Sequence, residues 1–327
     1  MRRPSSRRLF TALLGAGVLL LVGIVVAWLV TGGRKEAAPT TVTVTTTTTT
    51  TTTVTTAPPT TTAPPTTTVP PPPTPVPMSW AGAGAFVADT HAVDPTWLGR
   101  EMRENGFTWL AVKVHDGLIE TELEPKWIVR FRRASGLAVG GWGVLRTDPE
   151  QEARLAARLG DAHSLDFYVA DAEAEYKYTH GAGTSSDRLE RSKRFVATFR
   201  ALRPDLPAGL SSYCRTDTQD LDWKVWSDAG FQFLPQAYVN AQGQASAPAA
   251  CANAGKRFFP PDAIHPTVGT YVAKAADPSP EDYASMLDAA GTTGFSVYLA
   301  ETEMPDTAWA AYGRAIQSLG IARAPQP

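Results

Sequence analysis

Beyond residue 78 the chain alternates short apolar runs with longer stretches that carry polar residues at helical spacing. The runs are 85–89, 108–114, 138–145, 166–171, 208–213, 231–238, 267–272 and 295–299. Each is five to eight residues long, the length of a buried strand. The intervening stretches carry helix punctuation. Asp94-Pro95 opens one that Gly106 ends, Glu124-Pro125 opens one closed by Gly136, Asp148-Pro149 pairs with Gly160, and Ser279-Pro280 with Gly291. Proline suits a first helical position because the N–H it lacks would have had no intrahelical partner, and glycine tolerates the left-handed turn that ends a helix. Residues 186–202 predict the longest helix, stopping before Pro204, and 307–319 predict the last, ending at Gly320.

Eight strand–helix units in about 250 residues predict an α/β fold, a (β/α)8 TIM-like barrel spanning 78–327. The competing open, doubly wound sheet calls for a glycine-rich turn after the first strand, where Asp89-Thr90-His91 stands instead. Active sites of such barrels form at the carboxyl ends of the strands.

The first 77 residues follow different rules. Residues 9–30 form an uncharged stretch of 22, enough at ~1.5 Å per residue to span the ~30 Å hydrocarbon layer of a bilayer. Val30-Thr31-Gly32-Gly33-Arg34 offers only a poor cleavage site after it, so a retained single transmembrane anchor is expected. Arg2, Arg3, Arg7 and Arg8 precede it, against Arg34 and Lys35 beyond. That bias keeps a basic tail, 1–8, in the cytoplasm and sends everything after the span outside, or into the medium were the anchor cleaved. Residues 31–77 are dominated by Thr and Pro, with no apolar face to bury, and read as a disordered, extended linker.

Six of the 30 basic residues and one of the 32 acidic ones precede residue 78, so the remainder carries a net charge of −7. With no cluster of Lys and Arg interleaved with aromatics, nucleic-acid binding is not expected. His91, His115, His163, His180 and His265 never pair at metal-ligand spacing, and neither a metal nor another cofactor is expected. Cys214 and Cys251 lie in the exported part, where a disulfide between them is possible.

The predicted strand ends collect carboxylates and aromatic rings. Asp171 and Glu173 end the fourth run two residues apart, so both project to one side of a strand. Asp89 closes the first, Asp116 follows the second, Trp142 lies in the third, Tyr213 closes the fifth, Gln236 and Tyr238 the sixth, and Glu301 follows the eighth. Tyr271, Glu175 and Glu303 stand near the same ends. Flat rings for pyranose faces and carboxylates for acid–base work point to glycoside hydrolysis. The ~6.5 Å Cα spacing of residues i and i+2 fits retaining, inverting and substrate-assisted schemes alike.

Three segments also resemble family 25 glycoside hydrolases, the lysozyme-type muramidases: Trp109-Leu110-Ala111-Val112-Lys113-Val114-His115-Asp116-Gly117, Ser135-Gly136-Leu137-Ala138-Val139-Gly140-Gly141-Trp142, and the Asp171-Ala172-Glu173 step. The resemblance covers about 85–238 and implies Glu173 as general acid, with Asp171 stabilising the reacting acetamido group and Asp89 ordering the site. It also implies sugar contact by Tyr238. From their places at the strand ends, Trp142, Tyr213, Gln236, Asp116 and Glu301 are further substrate-binding candidates. The expected partner is an extracellular polysaccharide such as peptidoglycan. The alternative expectation is a barrel that binds cell-wall glycan without cutting it.

Overall fold

A computed structural model describes residues 78–173, 176, 185–214, 221–237, 248–270, 278–301, 304–321 and 323. Strands β1 (Ala83–Val87), β2 (Trp109–Asp116), β4 (Ala138–Val144), β5 (Tyr168–Asp171), β6 (Ala208–Tyr213), β7 (Gln232–Gln236), β8 (Thr267–Gly269) and β9 (Phe295–Tyr298) pair in parallel, each with the next. β1 also pairs with β2, with Phe86 opposite Ala111, and with β9, with Phe86 opposite Tyr298, so the sheet closes on itself. All eight predicted runs become its staves. A two-residue strand, β3 (Ile119–Glu120), folds back antiparallel on the end of β2 and was not anticipated from the sequence.

The helices α1 (Pro95–Glu104), α2 (Pro125–Ser135), α3 (Pro149–Ala162), α4 (Ser185–Leu202), α5 (Trp223–Asp228), α6 (Pro248–Gly255), α7 (Pro280–Ala290) and α8 (Asp306–Ser318) alternate with the staves. Their starts follow the punctuation. Asp94 accepts from the N–H of Thr96 and of Trp97, Asp148 from Gln151, and Ser279 forms a reciprocal cap with Asp282. Gly136 and Gly291 take left-handed turns at φ 67° and 61°.

Gly160 does not end its helix, contrary to expectation. α3 continues to Ala162, and Ser164 adopts the positive φ beyond it. Gly160 is buried, and a Cβ there would lie 2.7 Å from Nη1 of Arg203. The residue is small for packing rather than for a turn. Between β7 and β8, the Ala-rich residues Pro248–Gly255 form α6.

Alternation along each stave sorts the core into two layers. Val112, Val139, Tyr168, Leu210 and Phe233 face the helices, whereas Phe86, Trp109, Trp142, Phe167 and Leu234 fill the barrel. The interior is crowded: a Cβ on Gly84 would sit 2.0 Å from the Trp109 ring, and one on Gly140 2.4 Å from Phe167. Trp80 packs edge-on against Trp109 and Phe167 at 5.6 and 5.3 Å. With the interior packed by these rings, open space remains toward the carboxyl ends of the staves. A disulfide joins Cys214, just past β6, to Cys251 in α6, with their Cα atoms 4.8 Å apart.

Among the described residues no helix is long and apolar enough to cross a membrane. The expected anchor at 9–30 and the linker at 31–77 lie outside those residues.

Candidate functional site

A cavity of about 130 Å³ opens at the carboxyl end of the barrel, lined by Phe86, Trp142, Asp171, Glu173, Ser211, Gln236, Thr267 and Tyr298. Seven of these project inward from staves, and Glu173 continues the alternation of β5 two residues past Asp171. Apolar walls around a few convergent polar groups are the usual make-up of a small-molecule site.

The two acids converge on one amide. Nε2 of Gln236 donates to Oδ1 of Asp171 at 3.1 Å and to Oε1 of Glu173 at 2.6 Å, with Oγ of Ser211 at 3.2 Å. An amide nitrogen carries two protons, so two carboxylates alone exhaust it and the serine contact is shared. The two acceptor oxygens are therefore at most about 6 Å apart, the two bond lengths laid end to end. Gln236 reaches them because β7 lies two staves from β5, with Ser211 of β6 on the same inner row as Asp171. Asp171 is buried, while Glu173 is partly exposed toward the mouth.

Aromatic side chains form the apolar walls. The Trp142 indole donates its N–H to the Val87 carbonyl at 2.9 Å, which fixes its plane. Phe86 and Tyr298 meet it at centroid distances of 6.1 and 6.2 Å with steep interplanar angles.

The structure brings together Asp171, Glu173, Trp142 and Gln236 from the sequence candidates, and places the others elsewhere. Asp89 is exposed, and its Oδ1 accepts from the His91 N–H, a local turn contact. Glu301 spends Oε1 on the N–H groups of Ala88 and Asp89 at 2.9 and 2.8 Å, tying the loop after β9 to the end of β1. Tyr213 closes β6 half-buried and is not among the lining residues. Asp116 lies on the rim, bonded to Nζ of Lys113 at 2.9 Å and Nε of Arg146 at 2.5 Å. Burial opposes its ionisation, but these two cations outweigh it and hold its carboxyl below the usual aspartate value. Tyr238, Tyr271, Glu175 and Glu303 lie outside the described residues.

Phe86, Ser211, Thr267 and Tyr298 were not anticipated. Each sits at an inner position of a predicted strand, so a strict count of alternation was the signal that could have found them. Among the described residues no cluster of three His, Cys, Asp or Glu is arranged to hold a metal.

His115 turns away from the mouth. A register shift between Lys113 and His115 inserts a bulge in β2, after which His115 faces the helices. There it stacks on Tyr168, with Nε2 2.8 Å from the phenol oxygen and Nδ1 2.9 Å from the Gly117 carbonyl. Burial pushes its pKa down to about 4.

No protein-family model matches this sequence, and a search of curated proteins finds no match. Solved structures do. A GH18 chitinase from Pseudoalteromonas aurantia aligns with TM-score 0.54 at 11% identity, over 72% of this chain and 99% of that one. A plant class V chitinase mutant from Cycas revoluta, in complex with (GlcNAc)3, aligns with TM-score 0.53 at 8% identity over the same shares. The galactosidase domain of the alpha-galactosidase-sucrose kinase AgaSK aligns with TM-score 0.51 at 11% identity, over 72% of this chain and 40% of that chain. At such identities the likeness is one of fold: a TIM barrel of the kind these glycosidases use.

Proposed function

We propose that this protein is a glycoside hydrolase acting on an N-acetylated cell-wall or related polysaccharide, held at the outer face of a membrane by residues 9–30. The single observation that carries the reading is the sharing of Gln236 by Asp171 and Glu173 inside an aromatic-walled cavity at the carboxyl end of the barrel. The muramidase-like motifs and the chitinase-like barrel both favour 2-acetamido sugars. The linker 31–77 would let the barrel reach a polymer beyond the bilayer.

The proposed chemistry follows from the placement of the acids. Glu173, nearer the opening, gives its proton to the glycosidic oxygen as the bond to the anomeric carbon breaks. The substrate's acetamido oxygen attacks that carbon from the opposite face, and Asp171 accepts the amide N–H and orients it. Water then opens the cyclic intermediate, losing a proton to the Glu173 carboxylate. Inverting enzymes hold their carboxyls ~6.5–9.5 Å apart to admit a water between them. Oxygens sharing one amide nitrogen leave less room, which favours a retaining outcome.

The test is release of reducing ends by the full chain from purified peptidoglycan and from chitin, with Glu173→Gln as control. Loss of general acid catalysis is expected to lower the rate about 100-fold or more while glycan binding persists. Binding without hydrolysis by the unaltered chain would instead favour a non-catalytic glycan-binding barrel.

A further inference from the structure

The bulge in β2 has a second effect, on the rim of the cavity. Lys113 pairs in register with Trp142 on the inner face of the barrel. Strict alternation would then turn Asp116, three residues on, to the outer face. The extra residue restores it to the inside, where it pairs in register with Val144. Asp116, Val144 and Asp171 thus form one row across three neighbouring staves. Two steps of ~4.8 Å place Asp116 about 10 Å from Asp171, one or two sugar units along the mouth.

Lys113, one inner position below that row, is held firmly against it. Nζ bonds Asp116 at 2.9 Å and lies 5.4 Å from the centroid of Trp142, whose ring forms a wall of the cavity. Asp116 also receives Nε of Arg146, so its single negative charge is divided between two cations. An ammonium has three donors, and two of those on Lys113 have no protein acceptor among the described residues. The side chain retains 21% of its exposure, enough for a bound molecule to reach it.

We propose that Lys113 is a specificity-determining residue, forming a cationic subsite that receives a carboxylate borne by a sugar next to the one whose bond is cut. The substrate class is therefore an acidic N-acetylated glycan rather than a neutral one. This rests on the glycosidase reading above. The domain is otherwise acidic, with a net charge of −7, so an anionic polymer needs a local cation to be accepted.

Binding is compared for two soluble polymers, carboxymethyl chitin and neutral glycol chitin, using the full chain with Glu173→Gln to suppress turnover. The expected result at low salt is about tenfold tighter binding of carboxymethyl chitin, as befits a charge-assisted hydrogen bond. That preference should disappear in ~1 M salt, where the Debye length falls to ~3 Å. Adding Lys113→Met, which keeps the stem over Trp142, should abolish the preference while leaving glycol chitin binding intact, and Lys113→Arg should retain it. Equal affinity for the two polymers, or a preference that survives Lys113→Met, overturns the subsite but leaves the glycosidase reading standing. Failure to bind either polymer overturns both.

Discussion

Replacing Gln236 with leucine tests the geometry of the site more severely than removing either acid. The substitution keeps roughly the same volume and deletes the amide that Asp171 and Glu173 share. Each charge-assisted hydrogen bond contributes ~1.5–3 kcal/mol. The buried Asp171 would lose a donor outright, while the more exposed Glu173 can recruit water, so a net destabilisation of about 2–4 kcal/mol is expected. For a domain of this size that is a fall of roughly 5–15 °C in melting temperature. The rate should fall further than stability alone explains, because the acids are no longer fixed relative to one another; a misplacement of ~1 Å can cost ~100-fold. Thermal unfolding followed by circular dichroism gives the first quantity, and reducing-end kinetics at a temperature where the variant is fully folded give the second. A folded Gln236→Leu variant with near-normal kcat would refute the idea that this amide organises the catalytic pair.

Other expectations concern the scaffold. The Cys214–Cys251 disulfide closes a loop spanning 37 residues, for which chain entropy gives about 4 kcal/mol; Cys251→Ser should lower the melting temperature accordingly, and an unchanged melt would show the bond to be dispensable. His115 and His265 are buried with pKa values pushed down to about 4 by desolvation, so the unfolded chain binds their protons first as pH falls below 6.5. Stability from these two groups is fully present above pH 6.5 and is lost as pH drops toward 4, by about 3 kcal/mol each; denaturant titrations at pH 7 and pH 4 would read it, and His115→Gln should flatten part of the slope. Asp89→Ala, which removes only a turn contact to His91, should leave hydrolysis within about twofold, and a large loss would return Asp89 to the site.

The staves and the principal acids were legible because both depend on local rules. Apolar runs bounded by Pro and Gly set the strand order, and alternation alone aimed Asp171 and Glu173 to one side. The misreadings share a cause: the residue's role is decided by something distant in sequence. Glu301 looked like a site acid until β9 closed against β1 and brought the N–H groups of Ala88 and Asp89 to its carboxylate. Asp116 and His115 exchanged faces through a bulge that no pattern of apolar residues announces. Gly160 read as a helix stop, yet it is small because Arg203 crosses it. Tyr298 and Phe86 were not singled out in the sequence, and only closure of the cylinder shows that they border open space at its mouth.

The most direct test of the central claim is the anomeric configuration of the first-formed product, followed by proton NMR while the full chain digests a soluble N-acetylated glycan. Two acids sharing the amide of Gln236 predict a new reducing end that retains the configuration of the bond cleaved. An inverted product would contradict the close pairing of Asp171 and Glu173 as the reacting groups, and unaltered turnover by Glu173→Gln in the same experiment would remove Glu173 as the acid.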